Sequence, residues 1–148
     1  MPTYPFKKRD TMRRFRLFLF AVLLMLTASV QAQTLRDSSN RNIGKVESDG
    51  TIRDGSNRMV GRIYTDGTMR DSSNRLVGKI ESNGTVRDSS NRNIGKIESD
   101  GTVRDGMNRY LGKVESDGTI RNSSNACIGH ARGISQRQAA AFFFFNMF

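Results

Sequence analysis

The chain has 148 residues, 24 Lys and Arg against 14 Asp and Glu for a formal net charge of +10, one cysteine and one histidine. That length fits one small domain, and a single cysteine excludes an internal disulfide framework. The charge does not point to nucleic acid: six bases and one acid lie in the first 16 residues, and removing them leaves 18 bases against 13 acids, a net +5 of interspersed sign.

Lys7, Lys8, Arg9, Arg13, Arg14 and Arg16 stand against the single acid Asp10, and an apolar run follows from Leu17 to Leu26, continuing weakly to Val30. This is the layout of an export signal, with cleavage expected after Ala32 to leave Gln33 as the new N-terminus. The run is shorter than the roughly 20 apolar residues of a spanning helix, and no cysteine follows it to carry a lipid. Residues 1–32 are therefore read as a cleaved signal peptide, and the protein is expected to be exported, either periplasmic or secreted.

Beyond the leader the chain repeats. Copies of R-D-x-x-N-R-x-φ-G-K-φ-E-S-D-G-T-φ, where φ is aliphatic, begin at Arg36, Arg53, Arg70, Arg87, Arg104 and Arg121, a period of 17 residues without slippage. No 3.6-residue apolar period accompanies it, and short β-prone stretches alternate with two kinds of turn, so the class is all-β. Asp49-Gly50, Asp66-Gly67, Asn83-Gly84, Asp100-Gly101 and Asp117-Gly118 predict type I′ hairpin turns. Asp-x-x-Asn, as in Asp37-Ser38-Ser39-Asn40, predicts a second turn in which Asp accepts backbone N–H groups and Asn takes the left-handed conformation.

Ile43 and Val46 are three apart, on opposite faces of a regular strand, so Gly44 is expected to mark a bulge or bend, repeated at Gly61, Gly78, Gly95, Gly112 and Gly129. The half-unit Thr34-Leu35-Arg36 opens the array, and the last copy, Ala126 to His130, loses its Asx-Gly turn. Pairing these two ends would remove both sheet edges. The expected fold is a closed, pseudo-symmetric, shallow barrel of short hairpins over residues 33–138, followed by a Phe-rich tail over 139–148. Six Asp-x-x-Asn turns, with Asn122 replacing Asp in the sixth, and five Asx-Gly turns leave its order at five or six.

The recurring G-[KR]-[IV]-E-S-D-G-T-[IV]-R-D-S-S-N-R, the leader ending in Ala-Gln and the Ala-Ala-Phe-Phe-Phe-Phe close resemble the β-flower proteins, in particular the five-fold β-flower family. The resemblance covers essentially the whole mature chain. It implies a shallow symmetric barrel of short hairpins around an apolar channel, similar in shape to the tubby C-terminal domain, with membrane association and no known activity.

Residues that break the repeat are the candidates for chemistry. Cys127 and His130 could be read as a thiol and imidazole dyad, but three residues apart in an extended strand they are expected on opposite faces, and no catalytic activity is expected. Asp49, Asp66, Asp100 and Asp117 supply one carboxylate per loop, where a calcium loop stacks several, so no metal or cofactor is expected. Arg41, Arg58, Arg75, Arg92 and Arg109 should form a ring that could meet anionic headgroups or simply pair with neighbouring acids. Phe142, Phe143, Phe144, Phe145 and Phe148 either plug the channel or act as a foot on a membrane surface, and the small aliphatic supply of each repeat favours the plug. The expectation is a monomeric, non-catalytic structural or binding module of the bacterial envelope with no nucleic-acid partner and an unidentified ligand. The alternative is a peripheral lipid-binding protein that uses the Phe tail and the Arg ring.

Overall fold

The computed structural model describes Met1 and residues 33–148, and the expected signal peptide lies outside the described residues. Twelve strands follow in chain order: β1 (Thr34–Asp37), β2 (Asn42–Val46), β3 (Thr51–Asp54), β4 (Met59–Ile63), β5 (Thr68–Asp71), β6 (Leu76–Ile80), β7 (Thr85–Asp88), β8 (Asn93–Ile97), β9 (Thr102–Asp105), β10 (Tyr110–Val114), β11 (Thr119–Asn122) and β12 (Cys127–Arg132). A helix, α1 (Gln136–Phe144), follows the last strand, and Phe145 to Phe148 run on beyond it. Each strand is antiparallel to its predecessor, and β12 pairs with β1 to close the barrel. The closing register, Leu35↔Ala131, Arg36↔His130 and Asp37↔Gly129, matches Val46↔Ile52, Lys45↔Arg53 and Gly44↔Asp54 inside the array. The seam is thus an ordinary repeat contact with no covalent turn across it, and no sheet edge remains.

The Asx-Gly turns differ from the expected type I′. Gly50 N–H donates to the Glu47 carbonyl at 2.9 Å, and φ is positive at Gly50 (86°) but not at Asp49. This is the pattern of a four-residue turn, Glu47 to Gly50, whose last residue is a left-handed glycine. The cause is local: Asp49 Oδ1 accepts the Thr51 N–H at 2.9 Å and Oδ2 accepts the Thr51 hydroxyl at 3.0 Å, so the carboxylate caps the next strand from a negative φ. The other turns follow expectation, with Asn40 at φ 62°, its N–H donating to the Asp37 carbonyl, and Asp37 Oδ1 accepting from Ser39 and Arg41 N–H.

The bulge falls one residue before the glycine. Leu35 pairs with Gly44 but Arg36 with Asn42, which makes Ile43 the extra residue, and the same shift recurs in all six hairpins that span an Asx-x-x-Asn turn. Inside, every strand contributes one buried aliphatic: Leu35, Val46, Ile52, Ile63, Met69, Ile80, Val86, Ile97, Val103, Val114, Ile120 and Ala131. The bulged residues, Ile43 and its counterparts, pack half-buried against this set.

Candidate functional site

The tail is part of the core. Helix α1 starts before the boundary expected at residue 139, capped by Ser135, whose side chain accepts the Gln138 N–H while the Gln138 side chain accepts the Ser135 N–H. Gln136 Nε2 donates to the Val114 carbonyl and Arg137 to the Ser82 carbonyl, which ties the start of the helix to the mouth formed by the Asx-Gly turns. Ala139, Ala140 and Ala141 are fully buried in the cluster of twelve aliphatics. Small side chains on the helix there face large ones on the wall. Farther along the relation reverses.

A Cβ added to Gly129 would lie 2.5 Å from Phe143 Cε1, and one on Gly112 2.7 Å from Phe144 Cε1; the same overlap arises between Gly95 and Phe145, Gly78 and Met147, and Gly61 and Phe148. Each of these interior glycines therefore leaves a socket for one tail side chain, and successive tail residues dock on successive repeats against the direction of the array. The six glycines also face a cross-strand carbonyl too closely for any Cβ, as Gly44 does the Arg53 oxygen at 2.5 Å. Because Gly44 pairs with Asp54, the first residue of an Asp-x-x-Asn turn, the Phe side chains sit toward that mouth.

The arginine ring surrounds the same mouth. Arg41, Arg58, Arg75, Arg92 and Arg109 each donate through Nε to the turn aspartate four residues earlier, at 2.6 to 2.9 Å. Their side chains remain 74 to 79% exposed. The sixth turn loses both partners together, Asn122 replacing Asp and Ala126 replacing Arg, yet Asn122 Oδ1 still accepts the N–H groups of Ser124 and Ala126. Capping and charge pairing are thus separable. Replacing Asp88 by Asn, which keeps the cap, is expected to lower the unfolding midpoint less than Asp88→Ala in parallel thermal melts.

These carboxyls also set a pH response. The Arg92 backbone N–H, then its side chain, hold Asp88 below the ordinary aspartate value of 3.8, and the Thr51 N–H does the same for Asp49. The unfolded chain takes up protons before the folded one, so stability is complete above pH 3.8 and falls as the pH drops through the depressed folded values. A melting temperature level between about pH 7 and 5 and declining below about 4 is the expected profile.

The sequence model of the family described as 5-fold beta-flower protein matches residues 32–147, the entire barrel and nearly all of the tail. The chain belongs to that family. Among curated proteins and among solved structures, nothing matches. This β-flower protein has twelve strands in its barrel, with five Asx-Gly turns and six Asx-x-x-Asn turns.

The one thiol and the one imidazole of the β-flower chain come together. The bulge at Ile128 turns Cys127 and His130 to the same side, with Sγ 3.7 Å from Nε2, which overturns the expectation of opposite faces. A second break in the repeat lies at the Asx-Gly mouth, where Tyr64 takes the place of Glu47, Glu81, Glu98 and Glu115 and the Arg62 guanidinium stacks 5.3 Å from its ring centre. A shallow depression of about 400 Å³ beside it is lined by Tyr64, Asp66, Ser82 and Arg137. Among the described residues no cluster of three or more His, Cys, Asp or Glu is placed to hold a metal. Sequence reasoning did not identify the glycine sockets, although six interior glycines and a tail of large apolar residues were both in view.

Proposed function

We propose that this protein is a non-catalytic structural or binding module of the bacterial envelope, exported through residues 1–32 and folded as a six-fold pseudo-symmetric barrel whose own C-terminus plugs the channel. The observation that carries the reading is the docking of Phe143, Phe144, Phe145, Met147 and Phe148 on five glycines of the wall. A channel filled by its own chain supports a scaffold rather than a carrier, and recognition is left to the outer wall and the two mouths. The exposed Arg41 class, each arginine already paired to an aspartate, supports a solvated collar. The second reading, contact with a lipid surface, is favoured by one observation: Phe142 to Phe145 and Phe148 stay partly exposed at the mouth that carries the arginines.

Fractionation of a bacterium expressing the full chain, with intact mass measured on each fraction and the purified protein tested on anionic vesicles, decides between them. The module reading expects a species starting at Gln33 in the envelope fraction that does not sediment with vesicles. Sedimentation that weakens with added salt would instead support the lipid reading, and a full-length species confined to the cytoplasm would overturn both.

A further inference from the structure

The segment 126–131, which leads into β12 and forms most of it, differs from its five counterparts at four positions: Ala126 for Arg, Cys127 for a variable residue, His130 for Lys or Arg, and Ala131 for a larger aliphatic. In the other copies the residue at the Cys127 position has a structural or solvent role, as where Asn42 Oδ1 and Asn93 Oδ1 accept the N–H of the following glycine. The base at the His130 position reaches back to a turn aspartate, Arg62 to Asp49 at 3.1 Å and Lys113 to Asp100 at 3.3 Å. His130 holds the corresponding place beside Asp117, whose carboxyl is held low first by the Thr119 N–H. Cys127 Sγ lies 3.6 Å from the Gly129 carbonyl oxygen and 3.7 Å from His130 Nε2, so a small rotation brings its proton from the one acceptor to the other.

The surroundings are cationic. Cys127 pairs across the sheet with Arg121, and His130 with Arg36. Arg121 is neutralised by Glu115 at 3.0 Å, but Arg36 has no carboxylate partner among the described residues. A partly exposed thiol beside a base and uncompensated positive charge is the setting in which cysteines react.

We propose that Cys127 and His130 form a thiol-exchange site on the outer wall, which takes a small anionic disulfide. His130 Nε2 accepts the Sγ proton, and the thiolate attacks one sulfur of the disulfide. The reagent's S–S bond breaks as the bond from Cys127 Sγ forms, and the departing thiolate takes the proton from the imidazolium. One protein thiol and one disulfide thus become one mixed disulfide and one free thiol. The chain has no second cysteine to resolve the product, so the site records a modification that only an external thiol reverses.

The test follows adduct formation by intact mass when the folded protein meets glutathione disulfide, with cystamine as a cationic disulfide of the same reactivity class. The folded protein is expected to gain one glutathionyl group faster than the same protein unfolded in urea. Cys127→Ser should gain none. His130→Lys, which restores the residue of the other copies and should keep the unfolding midpoint, is expected to react at least about tenfold more slowly. Equal rates for His130→Lys and the parent, or a folded thiol slower than the unfolded one, would overturn the site. Faster reaction with cystamine than with glutathione disulfide, each scaled to its rate on the unfolded protein, would overturn the assignment of an anionic reagent.

Discussion

Removal of Phe142 to Phe148 is expected to leave a protein with little or no cooperative unfolding transition. Five of these side chains fill glycine sockets, and burying a large apolar side chain contributes roughly 1.5 to 3 kcal/mol. Because the tail side chains are only partly covered, about half of that gross sum, on the order of 4 to 8 kcal/mol, is the expected loss. Small domains hold only about 5 to 15 kcal/mol in total, so the truncated barrel should lie at the edge of stability, with a strongly lowered urea midpoint and exposed apolar surface that binds a reporter dye. A truncated protein with an unchanged midpoint would show that the tail is not part of the core.

The second large effect is expected at a turn. Gly84 has φ 88°, and a Cβ there would fall on the Ile97 carbonyl oxygen. Gly84→Ala must therefore strain the backbone and displace a strand at once, and is expected to cost about 3 kcal/mol or more. Ser99→Ala, an exposed position in the equivalent turn of the next unit, should stay within about 0.5 kcal/mol. Side-by-side urea titrations measure both; coincident curves would mean that Gly84 does not occupy the left-handed position.

The contrast between these residues shows what could be read in advance. Asn40 and Gly50 were legible because the left-handed conformation favours few residue types, and that requirement is local. Closure was legible from the half-unit at Leu35 and the truncated copy at Ala131, since the period is constant and only one register joins them. The type I′ assignment failed because Asp49 has two uses for its carboxylate, and the hydrogen bonds to Thr51 prevailed over positive φ. The separation of Cys127 from His130 failed for a different reason: the bulge was expected at the glycine, yet its effect on which face a residue takes was not carried to the last strand. Helix α1 had a local signal, the Ser135 and Gln138 capping pair, but the partners of the tail's large apolar side chains lie 14 to 87 residues away along the chain, from Gly129–Phe143 to Gly61–Phe148. Nothing local encodes such a fit.

That fit couples two lengths that could otherwise vary independently. A 17-residue repeat is easily gained or lost by unequal recombination, and the strand register would survive the event because every seam is alike. The tail would not follow. With one unit fewer, the ring of aliphatics would close more tightly on Ala139 to Ala141; with one more, the wall would open away from the helix, adding to Gly44 a second interior glycine that no tail side chain fills. The C-terminal segment thus fits one copy number of the repeat, and a chain with a unit gained or lost would forfeit that fit.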